Sequence, residues 1–135
     1  MVWRVPGMGS LAGSATLIIL YLGNAKVNGI KNVRFYKADA GRFLTQMAEE
    51  GAKADVLLMD PPRNGSSEEF LRSAALLGPG KIVYISCNPV SLGRDLGVLK
   101  KMGYRAEECW MVDMFPWVGH VESVIIMQNC GLKGK

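Results

Sequence analysis

The sequence predicts an α/β fold built on a mostly parallel sheet. Short segments such as Asp55–Met59 and Ile82–Ile85 are apolar on both faces, and they alternate with segments of helical periodicity. Strands of that kind belong to a parallel sheet covered on two sides. The length of 135 residues, with 49% hydrophobic and 21% charged residues, suits one compact domain and excludes a disordered chain or a large multidomain machine.

In chain order, Gly7, Gly9 and Gly13 are scattered among Pro6, Ser10 and Ser14 without alternation, which predicts an irregular arm over residues 1–22. Ser14 can cap a helix running to Asn28, where Asn28-Gly29 supplies a left-handed stop. Val33–Tyr36 reads as a short strand. Gly41–Glu50 has helical spacing, with Phe43, Leu44 and Met47 on one face, and Gly51 closes it. Asp55–Met59 is a strand ended by Asp60-Pro61-Pro62, where two prolines forbid further ladder bonding. Ser67 caps a helix over Glu68–Leu77, which Gly78-Pro79-Gly80 terminates. Ile82–Ile85 is the next strand, and Pro89–Met102 a helix opened by proline at its first turn and stopped by Gly103. Ala106–Met111 and Val121–Met127 complete the set, with residues 129–135 as a tail.

Lys and Arg outnumber Asp and Glu by 16 to 12, a net charge of +4 that mildly favours an anionic partner such as nucleic acid. Cys87, Cys109 and Cys130 cannot close a disulfide framework and show no CxxC spacing, so a reducing cytoplasm fits best and no metal site is expected. The apolar run Ala15–Leu22 is too short to span a bilayer. With Arg4 before it and Gly23 and Ala25 after it, the run loosely mimics a signal peptide, although the rest of the chain reads as an intracellular enzyme with no membrane partner.

Ligands of open parallel sheets bind beyond the carboxyl ends of the strands. Asp39, Asp60 and Cys87 each stand at or just past such an end. Asp60-Pro61-Pro62-Arg63 places an acid at a strand terminus and stiffens the chain leaving it. A similar Pro-Pro-aromatic motif occurs in amino-methyltransferases, whose ring stacks on a flipped base, but Arg63 fills the aromatic place here and argues against exocyclic-amine chemistry. Ser86-Cys87-Asn88-Pro89 sets a thiol at a helix N-terminus, whose partial positive charge favours the anionic sulfur of a nucleophile. Cys109 and Cys130 lack such a setting. Glu122 opens an otherwise apolar strand, either as a solvated strand-end charge or as a partly buried base. His120 is the single histidine, which removes histidine-dependent triads and histidine-rich metal sites.

Together these segments resemble the uracil-5-methyltransferase family, S-adenosylmethionine-dependent enzymes that form 5-methyluridine in ribosomal and transfer RNA. Asp-Pro-Pro-Arg-x-Gly stands as Asp60–Gly65, Ser-Cys-Asn-Pro as Ser86–Pro89 followed by Arg94-Asp95-Leu96, and Met-Phe-Pro followed by His-Val-Glu as Met114–Glu122. Asn24–Gly29, Asn32-Val33 and Asp39-Ala40 also resemble the family's second helix and third strand, so the likeness covers about residues 23–128. The resemblance implies a class I, Rossmann-like methyltransferase sheet with an antiparallel last strand, here incomplete and lacking strands 1 and 2. It implies Cys87 as nucleophile, Glu122 as base, Asp39 and Asp60 as cofactor contacts, and Arg63, Asn88 and His120 as substrate contacts. It further implies S-adenosylmethionine as cofactor and RNA as partner, ribosomal RNA ahead of transfer RNA.

Two departures qualify what to expect. Without strands 1 and 2, the strand at Val33 must pair beside Asp55–Met59, rearrange, or leave an edge for a partner chain or a second copy. The isolated chain is then expected to turn over weakly or not at all, and the alternative reading is a silent remnant that binds RNA or a partner. Trp117 and Val118 stand where the family carries a polar residue and a threonine, and valine cannot form threonine's hydrogen bond.

Overall fold

A computed structural model describes residues 9–13, 22–114 and 116–131. Its elements are β1 (Gly9–Gly13), α1 (22–27), β2 (Val33–Lys37), α2 (Ala40–Glu49), β3 (Val56–Met59), α3 (Glu68–Leu76), β4 (Lys81–Ser86), α4 (Pro89–Lys101), β5 (Tyr104–Val112) and β6 (Glu122–Asn129). From β2 onward every expected element forms, with ends within two residues of the sequence reading. The local signals act as expected. Asp39, Ser67 and Asn88 cap α2, α3 and α4 through their side chains, and Pro89 opens α4. Gly29, at φ 65°, makes the left-handed stop after α1, while the proposed start of that helix at Ser14 lies outside the described residues.

The main sheet has the order β3-β4-β6-β5. β3 and β4 are parallel, and β6 runs antiparallel to both β4 and β5. A bulge at Glu107 shifts the β5 register between Ala106 and Glu108. β5 forms one edge of the sheet and is exposed from Arg105 to Val112. Among the described residues no helix is long and apolar enough to cross a membrane.

The core lies on one face of this sheet. Leu57, Met59, Ile82, Tyr84, Ile125 and Met127 alternate along β3, β4 and β6 and are buried against Leu44 of α2, Leu71 and Ala74 of α3, and Leu92 and Leu99 of α4. The cross-strand pairs Leu57↔Ile82, Met59↔Tyr84 and Ile82↔Met127 set these side chains in one layer. The expected two-sided cover is not found among the described residues. Val56, Leu58, Val83, Ile85, Val124 and Ile126, on the opposite face, are only half-buried. Apolar composition shows that a face can be buried, but the packing of α2, α3 and α4 onto one side decides which face is.

The N-terminal segment also differs from the irregular arm expected. Gly9–Gly13 forms β1, which pairs in parallel with β2, from Gly9↔Val33 to Gly13↔Lys37. This two-stranded sheet is separate from the main one, so β2 does not pair with β3. Gly-Ser-Leu-Ala-Gly carries no strand propensity of its own. The ladder offered by β2 overrides it.

Candidate active site

The loop from Asp60 to Ser66 leaves β3 and is bound down onto the first two turns of α4. The Arg63 carbonyl accepts from Asn88 Nδ2 at 2.9 Å and from Ser91 Oγ at 3.0 Å. Arg94 Nη2 donates to the carbonyls of Asn64 at 2.9 Å and Ser66 at 3.1 Å. Beneath them Asp95 is wholly buried. Its Oδ2 accepts from the Tyr84 hydroxyl at 2.6 Å and the Ser66 amide at 2.7 Å, while its Oδ1 takes Arg94 Nε at 2.8 Å and Nη2 at 2.7 Å. Burial and the Asp95 carboxylate together push the Tyr84 phenol well above its ordinary range, so it remains a donor. Gly65 makes this approach feasible. Its φ is +79°, and a Cβ there would stand 2.5 Å from Arg94 Nη2 and 2.7 Å from Asp95 Oδ2.

Cys87 follows β4 and precedes the Asn88 cap. Ser86 Oγ accepts from the Asn88 amide at 3.1 Å and lies 3.0 Å from its carbonyl, closing a turn around the cysteine. Cys87 is a free, half-buried thiol. In the β4–β6 ladder the last pair is Ser86↔Ser123. One further step of that register sets Cys87 opposite Glu122, the first residue of β6. Continued by one pleat, the alternation would turn both to the face opposite buried Ser86 and Ser123.

Asp39 and Asp60 line one cleft of about 280 Å³ with Ala40, Gly41, Pro61 and Phe70 among its walls. Asp39 Oδ1 accepts from the Arg42 amide at 3.0 Å as the α2 cap. Asp60 is exposed immediately past β3. Arg63 reaches across to the loop before Glu122, with Nη1 3.1 Å from His120 Nε2 and Nη2 3.3 Å from Nδ1. A neutral imidazole accepts at one nitrogen, so each tautomer takes one of these two bonds. Asn88 spends Oδ1 on the Val90 amide at 3.0 Å and one amide hydrogen on Arg63, leaving the other hydrogen for an outside partner.

Of the residues singled out from sequence, the structure brings Arg63 into contact with His120 and Asn88, sets Asp39 and Asp60 on one cleft, and places Cys87 and Glu122 one residue beyond the last β4–β6 pair. Sequence reasoning assigned no role to Tyr84, Ser86, Ser91, Arg94 or Asp95, the groups that hold the loop. The adjacent Arg94-Asp95 pair on an amphipathic helix was the available signal, since a carboxylate on a buried helical face requires partners.

A sheet of this order, with an antiparallel penultimate strand and with an acid and a thiol just past the ends of its parallel strands, is part of the Rossmann-like methyltransferase fold. Solved structures agree. The Pyrococcus abyssi tRNA (uracil-54, C5)-methyltransferase, in complex with S-adenosyl-L-homocysteine, superposes with a TM-score of 0.74 at 29% identity, over 87% of this chain and 28% of that one. A putative S-adenosylmethionine-dependent methyltransferase from Streptococcus mutans gives 0.73 over 88% of this chain and 38% of its own, at 11% identity, a likeness of fold alone. Residues 18–130 match the profile of the tRNA (uracil-5-)-methyltransferases, and the chain belongs to that family. An uncharacterised RNA methyltransferase of Caldanaerobacter subterraneus is 48% identical over 78% of this chain and 24% of its own length. The 23S rRNA (uracil(1939)-C(5))-methyltransferase of Aeromonas hydrophila is 46% identical over the same shares. The chain therefore spans about a quarter of the length of these curated relatives.

Proposed function

We propose that this chain carries the catalytic groups for S-adenosylmethionine-dependent methylation of uracil carbon 5 in RNA. The observation that supports the reading is the β4–β6 register, whose last pair, Ser86↔Ser123, leaves the free thiol of Cys87 and the carboxylate of Glu122 each one residue further along neighbouring strands. Residues opposite each other in an antiparallel pair hold their Cβ atoms about 5 Å apart, close enough for both side chains to reach one pyrimidine ring.

Carbon 5 of uracil is a poor nucleophile until carbon 6 is saturated. Cys87 Sγ adds to carbon 6, and the displaced electron pair makes carbon 5 and the carbonyl an enolate. S-adenosylmethionine, when bound, supplies the electrophilic methyl group that carbon 5 takes. Glu122 then removes the proton on carbon 5, the Sγ–C6 bond breaks, and the C5–C6 double bond and the thiolate are restored. The target uridine must leave its stack to reach Cys87. Arg63, Asn88 and His120 face it from the rim.

The cleft fits part of the cofactor. Two carboxylates can accept from an amine and hydroxyls, and Pro61 and Phe70 offer apolar walls for a ring. At about 280 Å³ it lies just under the roughly 300 Å³ from which small-molecule sites begin, so it seats a nucleoside end rather than the whole molecule. Weak turnover by the chain alone follows from that partial seat. Ribosomal RNA is favoured over transfer RNA by the name of the Aeromonas relative at 46% identity, against 29% for the Pyrococcus enzyme.

The test is covalent trapping. RNA containing 5-fluorouridine, incubated with chain and cofactor, should yield an RNA-linked mass at Cys87 in intact mass spectrometry, and Cys87→Ala should yield none. Glu122→Gln should accumulate an adduct with ordinary uridine RNA. Absence of any adduct where a full-length relative forms one would favour an RNA-binding remnant without catalysis.

A further inference from the structure

We propose that Trp117 is a stacking platform for the nucleobase adjacent to the target uridine. The inference deepens the uracil-5-methylation reading and rests on it. Trp117 is 98% exposed, more than any other large apolar side chain described. A ring of this size held wholly in water sacrifices a large hydrophobic gain unless something covers it.

Its place in the loop says what covers it. Trp117 lies in the segment joining β5 to Glu122, and that segment is tied to the site at its far end. His120 meets Arg63 at 3.1 Å, and the His120 amide closes a tight turn onto the Val118 carbonyl at 2.7 Å. Trp117 thus stands three residues before the histidine that meets Arg63 and five before Glu122, on the loop that leads into the site. Among the other described rings, Trp110 of β5 is less exposed, at 45%, and three more are engaged. Tyr36 and Phe43 pack on each other with centroids 4.6 Å apart, and Phe70 lines the cleft beside Asp39. Arg63 occupies the position at which a ring would follow the two prolines, so this loop offers no aromatic face of its own.

The chemistry leaves the target base itself no room for the indole. The thiolate of Cys87 would take one face of the ring, attacking carbon 6 perpendicular to it, and the bound cofactor would have to deliver its methyl group to carbon 5 of the same ring. Extruding the target, however, strips the neighbouring base of a stacking partner. An exposed indole replaces that partner, with little dependence on which base it is, because every base presents a π-face.

A mutant cycle tests this by binding rather than by turnover. Single-stranded RNA with one 5-fluorouridine is prepared intact and with an abasic site on its 5′ or 3′ side, and affinities are measured for the unaltered chain, Trp117→Ala and Trp117→Tyr. Trp117→Ala should weaken binding of intact RNA roughly 10–100-fold. One abasic position should weaken binding to the unaltered chain equally, and combining the two changes should cost no more than either alone. Trp117→Tyr should retain most of the affinity, and neither variant should move the thermal midpoint. Multiplying losses, no loss with Trp117→Ala, or coupling to neither abasic position would overturn the proposal. Covalent trapping on the same RNA separates the two readings: an intact Cys87 adduct without Trp117 coupling sinks this inference alone, and coupling without any adduct sinks the catalytic reading alone.

Discussion

Replacing Asp95 by alanine tests whether the site is held from beneath by one buried carboxylate. Asp95 has no exposed surface and accepts the Tyr84 hydroxyl at 2.6 Å, the Ser66 amide at 2.7 Å and two nitrogens of Arg94 within 2.8 Å. The alanine variant strands two of these donors away from water, Tyr84 being wholly buried and Ser66 half-buried, at about 1–3 kcal/mol each. Arg94 is 57% exposed and can turn to solvent, so its share is small. The sum is about 2–6 kcal/mol, a large part of the roughly 5–15 kcal/mol by which domains of this size are stable. Urea unfolding followed by far-ultraviolet circular dichroism reads it as a lower midpoint at unchanged slope. Tyr84→Phe supplies the control. Alone it should destabilise by about 1–2 kcal/mol, but in the Asp95→Ala background it should cost almost nothing or restore stability, because the stranded hydroxyl is gone. A loss under about 1 kcal/mol for Asp95→Ala, or two losses that simply add, would refute the account of the loop as anchored through this carboxylate.

Gly65→Ala should destabilise by about 2–4 kcal/mol, from a positive φ and from driving Arg94 off two carbonyls, seen as a melting midpoint lower by roughly 10 °C; an unchanged midpoint contradicts the close approach. Arg63→Ala removes the link between the Asp60 loop and His120, so Cys87 adduct formation should slow about tenfold or more while stability moves by less than about 0.5 kcal/mol. Equal single-turnover rates would show that the link does not position Glu122. Stability should fall on the alkaline side. Burial raises the Tyr104 phenol from 10.0 to about 12, against a smaller opposite pull from Asn129, and raises Tyr84 further. The folded state then keeps protons that the unfolded state has lost. The benefit is full below pH 10 and disappears as pH rises through the folded values, at up to about 1.4 kcal/mol per pH unit for each tyrosine. Tyr104→Phe should flatten that limb in pH-dependent unfolding, and an unaltered slope would contradict it.

Much of the fold was readable because its signals are local. A cap such as Ser67 meets the Phe70 amide three residues on, and the Asn28-Gly29 stop needs only its own backbone angles. The chemical types at the strand ends were readable for the same reason, since strand and turn patterns place Asp60 and Cys87 without reference to the rest of the chain. β1 was not readable. Its five residues, four of them small, owe their strand to a ladder with β2, about twenty residues away, and nothing in their own pattern announces it. The family motif included Arg94-Asp95, yet its task appears only when Tyr84 and Ser66 converge on the same carboxylate.

By itself, then, the sequence determined the succession of strands and helices from Val33 onward, their caps and stops, and which reactive groups stand at strand ends, because each depends on neighbours within a turn or a pleat. Tertiary structure alone decided that β4 and β6 pair as far as Ser86↔Ser123, which brings the segments of Cys87 and Glu122 side by side, that Arg63 reaches His120, that Asp95 anchors the loop from below, and that one face of the sheet holds the core. Register and side-chain convergence join segments far apart in the chain. Packing selects them, because a slip of one residue would turn every core side chain of β6 to the wrong face and carry Glu122 away from the thiol.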